Sequence, residues 1–396
     1  GNFTCGAFSQ VAIFVAKCVA TPEGYNKCVS LLGDVLFRRK FDAERLKHAA
    51  KNLISDVSEQ RREGEVLAQS LLREELYRAG DSNHSACNLI RQHRFLSRVA
   101  QRLESEPSAV EKEMEEFVAA ITTSDNVWAQ VIGDLKANSW VKKPFVDGTF
   151  MGEVQGIPKP STPDSVTHAN KLHKPCVQSP TGEATVLVMS SIESSFLHAA
   201  TRGLPYFGHP DTAPLLVASE LLTAIEGPMW VNIRGLGLAY SFSMYGDAEE
   251  GLIFFNLSRS SAVAKAFTEA GKLVRSFASG EAPVEASALE NAIASIISSV
   301  VSREQTVSSC GLQSIMSALR GSGPGHNARL LKAVQAVTAE DVLRVLQGYL
   351  VNVFDPKLAT LCLTTNTNKA DEVEAGFQEL GWKVKRSESV EELIQD

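Results

Sequence analysis

One pattern of strand, helix and long amphipathic helix occurs twice in these 396 residues. In the first occurrence Ile13-Phe14 is followed by a helical stretch containing Gly33, then by Phe41-Asp42-Ala43 and Leu46. In the second, Ile253-Phe254 is followed by a stretch containing Gly271, then by Val284-Glu285-Ala286 and Leu289. The long helices match position by position: Ala49 with Ala292, Leu53 with Ile296, Ile54 with Ile297, Val57 with Val300. Both copies close with a helix and a strand, at 109–132 and 338–364. Duplication of one α/β unit is the economical explanation, and chance likeness of two amphipathic helices is the alternative.

The periodicities supply the rest of the outline. Residues 8–19 read as a strand, 25–37 as a helix and 42–78 as one long helix with Leu46, Ala49, Leu53 and Val57 on its apolar face. Helices are expected at 88–103 and 109–121 and a closing strand at 127–132. From 136 to 183 prolines, glycines and isolated polar residues replace the periodic patterns, which marks a linker. Beyond it, 184–189 reads as a strand, 212–225 as a helix, 238–245 with 251–257 as a hairpin, 262–277 as a helix and 359–364 as a strand. The second copy has strands and a helix ahead of the shared segment, whereas the first begins almost directly with its last strand. The expected fold is therefore α+β: two homologous domains, each a sheet with long helices on one side, the first (1–135) truncated at its N-terminus, a linker (136–183), and a complete second domain (184–396). An open sheet edge in the first domain calls for a partner segment, upstream or on another chain. The opening Gly1-Asn2-Phe3-Thr4 is neither an initiator methionine nor a targeting segment, so the chain is expected to start where a longer protein was cut or processed.

Composition narrows the function. With a formal charge of −7 and short basic clusters flanked by acids (Arg61-Arg62, Lys142-Lys143), nucleic acid is not the expected partner. Seven scattered cysteines without a Cys-x-x-Cys argue against both a disulfide framework and a cysteine zinc cage, and fit a reducing intracellular setting, the cytoplasm or an organelle matrix such as that of the mitochondrion. No apolar run has the roughly 18 residues of a membrane span.

Chemistry concentrates in Glu226-Gly227-Pro228-Met229-Trp230-Val231-Asn232-Ile233-Arg234-Gly235-Leu236-Gly237-Leu238-Ala239-Tyr240, a helix end running through glycines into a strand. On their own, Arg234 reads as a solvated helix-end cation and Tyr240 as a half-buried strand aromatic. The stretch resembles the C-terminal-half signature of the pitrilysin/insulinase zinc metallopeptidases, and the spacing of Arg234 and Tyr240 is similar to that in the presequence-protease and falcilysin branch. Phe41-Asp42-Ala43-Glu44-Arg45-Leu46 looks like that family's helix opening, so the resemblance covers nearly the whole chain. It implies the non-zinc-binding half of a zinc-dependent endopeptidase that degrades unfolded oligopeptides in a closed chamber. The zinc would sit on an inverted His-x-x-Glu-His helix in the N-terminal half, the expected partner, and Arg234 and Tyr240 would reach the peptide held there. A cation and a neutral O–H donor suit the negative charge that develops on a carbonyl attacked by zinc-bound hydroxide. None of the eight histidines here belongs to the zinc motif, so no metal and no catalytic residue is expected in this chain, and alone it should be inactive. The alternative is a non-catalytic structural subunit derived from the same family.

Other constellations have plainer readings. His168, His173 and Cys176 lie in the proline-rich stretch with nothing to fix ligand geometry. Asp211, ahead of the 212–225 helix, reads as its N-cap. Gly235 and Gly237 are expected to serve a positive φ or a close backbone approach.

Overall fold

The computed structural model describes residues 2–8, 11–123, 126–134, 136–142 and 167–394. These fall into two compact units, one drawn from the described residues of 1–55, 94–167 and 304–324, the other from 56–93, 168–303 and 325–396.

The first unit opens with an antiparallel hairpin of β1 (Asn2–Phe8) and β2 (Val11–Lys17), where a single longer strand was expected. Helix α1 (Pro22–Gly33) follows, capped by the Thr21 hydroxyl accepting from the Gly24 amide, and continues into a π-helical turn, Asp34–Arg38. Asp42 then opens α2 (Ala43–Gln60) by accepting from the Arg45 amide. The expected long helix 42–78 is broken after Gln60, and α3 (Gly64–Leu76) is a separate helix that, like the short α4 (Asn83–Ala86) that follows it, belongs to the second unit. After them come α5 (Leu89–Ser105) and α6 (Pro107–Ile121), tied by a bidentate Arg102–Glu113 pair at 2.8 and 2.6 Å. The strand expected at 127–132 does not form; those residues have no regular secondary structure. A small apolar cluster of Tyr25, Val29 and Val141 forms the buried core of this unit.

The second unit is built on a six-stranded mixed sheet in the order β5-β6-β4-β7-β3-β8. Its strands are β3 (Glu183–Val188), β4 (Ser195–Arg202), β5 (Ala239–Asp247), β6 (Leu252–Ser260), β7 (Ala359–Thr365) and β8 (Lys383–Ser387). The β5–β6–β4–β7 pairs are antiparallel, while β3 runs parallel to both β7 and β8. Because side chains alternate along a strand, Leu361 and Leu363 of β7 enter one core and Cys362 the other. The first core is closed by α7 (Thr212–Thr223), α8 (Val263–Ala278), α9 (Ala286–Ser302) and α12 (Ala339–Gly348), with α10 (Val307–Leu319) and α11 (His326–Gln335) between α9 and α12 in sequence. Two further helices, α13 (Ala370–Glu379) and α14 (Val390–Leu393), complete the chain.

The opposite face of this sheet is not left open, as a one-sided arrangement requires. Helix α3 lies over β4 and β7 and buries Leu67, Leu71, Leu72, Leu76 and Tyr77 there. Of the stretch expected as a linker, residues 143–166 lie outside the described residues. The part at 167–183 forms the turns Ala169–Lys171 and Pro175–Val177 and places Ala169, Leu172 and Val177 in the core beneath α3. It is stitched to the helix end by Arg78 N to Leu172 O at 3.0 Å and Lys174 N to Leu76 O at 2.7 Å.

The order hairpin, helix, long helix is common to both occurrences of the repeat: β1–β2, α1, α2 and β5–β6, α8, α9.

Candidate functional site

Helix α7 stops at Thr223, and the chain passes through Glu226 in a left-handed conformation (φ 62°) into a π-helical turn, Trp230–Arg234. Met229 and Ile233, both fully buried, pin that turn to the core, and the Asn232 side chain donates to Pro228 O at 2.8 Å. The two glycines then do different work. A Cβ on Gly235 would lie 2.6 Å from Val231 O, whereas Gly237 sits at φ 67°. Backbone bonds from Gly237 N to Arg234 O (3.0 Å) and from Leu238 N to Ile233 O (2.9 Å) close the turn and deliver the chain into β5.

From the far strand the turn is clamped by serines. Ser260 Oγ donates to Leu238 O at 2.7 Å and Ser261 Oγ to Gly237 O at 2.9 Å. With Ile233 turned inward, the next residue, Arg234, faces solvent, and with Ala239 buried, Tyr240 does too, at 58% exposure. The Arg234 guanidinium carbon lies 4.8 Å from the centre of the Tyr240 ring. That is the range in which a cation is attracted to an aromatic face. Six residues apart in sequence, the two side chains meet because the turn folds back onto the first residues of β5.

A third residue joins them that the sequence reasoning did not single out. Arg259 of β6 has its guanidinium carbon 5.8 Å from the same ring. Its position as one charge between Ser258 and Ser260 at the end of an apolar strand is visible in the sequence, but its backbone conformation is not. On the outer side of β5 no further strand is paired among the described residues, so its edge amides and carbonyls face outward.

The constellation His168, His173 and Cys176 does not converge. His168 Nδ1 pairs with Glu249 at 2.9 Å, the His173 ring packs 5.3 Å from that of Tyr77, and Cys176 Sγ donates to Glu75 O at 3.0 Å. Among the described residues no group of three or more His, Cys, Asp or Glu side chains could hold a metal ion, so the residues here do not fit a zinc. Asp211 precedes α7 as expected, yet its side chain makes no capping bond. It pairs instead with Arg344 and accepts from Tyr349 Oη at 3.1 Å.

Beneath α3 lies a buried polar group. Tyr77 donates to Glu250 at 2.5 Å, its ring stacks on His84 with centres 4.6 Å apart, and His198 of β4 is buried nearby. Burial pushes His84, His173 and His198 down to about 4 and raises Glu250, against the opposing pull of the Tyr77 hydrogen bond. The Glu250 carboxylate and the His84 and His173 imidazoles pack against Tyr77 beneath α3, and we read them as structural.

Residues 109–296 match the peptidase M16 inactive domain. The matched stretch includes Arg234, Tyr240 and Arg259 and agrees with the sequence resemblance at the level of the peptidase M16 inactive domain. An uncharacterized protein of Saccharomyces cerevisiae is 26% identical over 99% of this chain, and one of Schizosaccharomyces pombe is 25% identical over 94%. The chain spans 38% and 36% of the lengths of these two curated relatives. Among solved structures, the peptidase M16 inactive domain from Pseudomonas fluorescens superimposes with a TM-score of 0.69 at 13% identity, covering 92% of this chain and 81% of that one. A protease from Helicobacter pylori gives 0.64 at 12%, covering 89% and 79%. At these identities the likeness is one of fold. No helix among the described residues is long and apolar enough to cross a membrane.

Proposed function

We propose that this chain is the non-zinc-binding half of a zinc-dependent metalloendopeptidase, intracellular and acting on unfolded oligopeptides, and that Arg234 and Tyr240 contact the peptide. The observation that carries the reading is the exposed Arg234–Tyr240 pair, 4.8 Å apart beside the unpaired edge of β5, within the stretch that matches the M16 inactive domain. An extended peptide offers backbone carbonyls, for which a guanidinium and a phenol are the appropriate donors. An outer strand with free backbone groups suits a chain in β conformation. The zinc and its water would be supplied by a separate half, in the same chain or another, closing with this one around the substrate. In that arrangement the residues here bind and orient the peptide and stabilise charge on its carbonyl oxygen, and the chain alone hydrolyses nothing.

The test is kinetic, in the longer protein that contains this segment. Arg234→Ala and Tyr240→Phe are each expected to lower kcat/KM on an unstructured peptide by about a hundredfold, the usual effect of removing a donor aimed at a developing oxyanion, with zinc content and thermal stability unchanged. Wild-type kcat/KM in both variants, with zinc bound, would refute the assignment. Absence of any peptidase activity in the wild-type protein would favour a structural subunit.

A further inference from the structure

Arg234 and Arg259 approach one exposed phenol, at 4.8 and 5.8 Å from its centre, and among the described residues neither is paired with a carboxylate. Elsewhere in the chain arginines do find acids: Arg91 with Glu74, Arg102 with Glu113, Arg386 with Asp371. Two uncompensated guanidinium groups beside one ring repel each other and are each left with unused, directional N–H donors.

Arg259 also holds an unfavourable backbone. Its φ is 51°, in the left-handed region that L-residues with long side chains avoid, and it sits where the register of β6 against β4 shifts between Ser195 and Leu197. A glycine would take that conformation without strain. The strained bulge turns the Arg259 side chain toward Tyr240, directly across from it on the neighbouring strand, since Ala239 pairs with Ser260 and Ser241 with Ser258.

We infer that Arg259 is a specificity-determining residue of this site, and that Arg234 and Arg259 together receive a carboxylate of the bound peptide. The inference rests on the reading that Arg234 and Tyr240 contact a peptide. The carboxylate is either an acidic side chain or the peptide's own C-terminus, which share the planar two-oxygen geometry that guanidinium groups bind best. Tyr240 positions both cations and keeps its hydroxyl for the same ligand. Binding of this kind weakens with added salt, because the groups are exposed.

The experiment is calorimetric titration of the longer protein that contains this segment, stripped of metal by a chelator so that no peptide is cleaved, with one neutral, unstructured decapeptide sequence in three forms: amidated and free of acids, with a free C-terminal carboxylate, and amidated with one internal glutamate. One of the two charged forms is expected to bind about tenfold tighter than the neutral form, the scale of a charge-assisted hydrogen bond, and which one does so identifies the carboxylate's source. The advantage is expected to disappear in Arg259→Gly, which removes the guanidinium while fitting the left-handed backbone, and a melting temperature no lower than wild type confirms that the fold is intact. Equal affinity for all three peptides, or an advantage that survives Arg259→Gly, overturns the inference. If Arg234→Ala and Tyr240→Phe then weaken all three forms alike, the peptide-contact reading stands without it. If those variants change nothing, or no form binds, both are overturned.

Discussion

The Tyr77 hydroxyl donates a 2.5 Å hydrogen bond to Glu250, joining the end of α3 to the turn between β5 and β6. Tyr77 is fully buried and Glu250 partly so, and the Asp247 carboxylate organises the same turn by accepting from the amides of Glu249 and Glu250 at 2.7 and 3.2 Å. A helix from the first third of the chain is thereby fixed to a hairpin from the second half, across the sheet face that it covers.

Replacing Tyr77 by phenylalanine keeps the packing and removes the donor. The loss is expected to be about 1–3 kcal/mol at neutral pH, the usual consequence of stranding a buried acceptor, read from urea unfolding. Burial raises Glu250, so its contribution is fully present below its ordinary value of 4.5 and lost as pH rises through the folded value. Without the Tyr77 bond, which pulls the other way, the carboxyl rises further. The penalty for Tyr77→Phe should therefore be larger at pH 7 than at pH 4.5, and an equal penalty at both would show that the hydrogen bond is not what holds Glu250.

The histidines of the same cluster act with the opposite sign. His84 is depressed from 6.5 to about 4, first by burial and then by the charge of Arg73 and by His173. A lowered histidine contributes stability that is present above 6.5 and lost as pH falls toward 4, because the unfolded chain takes up the proton first. His84→Phe keeps an aromatic ring against Tyr77 and cannot titrate. Melting temperatures of the variant should fall less steeply than wild type between pH 7 and 4.5; parallel curves would mean that His84 is already solvated.

Gly64, the first residue of α3, separates two expectations of opposite sign. Helix propensity alone makes Gly64→Ala stabilising by roughly 0.5–1 kcal/mol. In the structure, however, a Cβ there would lie 2.7 Å from the Phe196 ring and 2.9 Å from Thr364 Oγ1, and Thr364 already donates to Gly64 O at 3.0 Å. Overpacking of that kind costs about 1–3 kcal/mol, so the variant should be destabilised. A gain in unfolding free energy would show that α3 can lift from β4 and β7 without loss.

These positions also show what could be read in the sequence. The strands β3, β6 and β7 were legible because they are largely apolar runs, and the hairpin because Gly246-Asp247 separates the alternating run of β5 from the apolar run of β6. Strand β4 was not, since His198 and Thr201 break its apolar pattern and are accommodated only through contacts made by distant residues, such as Thr201 with Leu358 O. Strand β8, an outer strand reading Lys383-Val384-Lys385-Arg386-Ser387, carries the charges that protect an edge and that hide it from a hydrophobicity argument. The break before Gly64 was missed because apolar periodicity continues on both sides of it, although the second helix packs against a sheet formed by residues far along the chain. At the candidate site, the spacing of Arg234 and Tyr240 and the need for glycine at 235 and 237 were legible. Arg259 was not, since nothing local announces a left-handed arginine at a bulge.

Asp211 offers a direct choice between a local and a tertiary role. Sequence reasoning makes it the N-cap of α7, and it does stand at that position, but its φ of −81° and ψ of 2° lie outside the extended region from which a cap side chain reaches back to the helix amides. Its carboxylate instead meets Arg344 of α12 and the hydroxyl of Tyr349, while Arg344 also pairs with Asp341 at 2.7 Å. The Arg344 side chain is half exposed, so water screens its share of the pairing, whereas Asp211 itself is nearly buried. Asp211→Ser and Asp211→Ala distinguish the two roles. Were the residue a cap, serine would replace it at little cost and alanine would lose about 1 kcal/mol. As a tether between α7 and α12, both variants should lose a similar amount, on the order of 1–2 kcal/mol, because alanine has no acceptor and a serine hydroxyl, shorter and uncharged, does not replace the two carboxylate oxygens that meet Arg344 and Tyr349. Tyr349→Phe should reproduce part of that loss, and combined with Asp211→Ala should add little to it, since the two changes remove one interaction. Chemical unfolding of the four variants reads all of these, and a serine variant as stable as wild type would return Asp211 to the capping role.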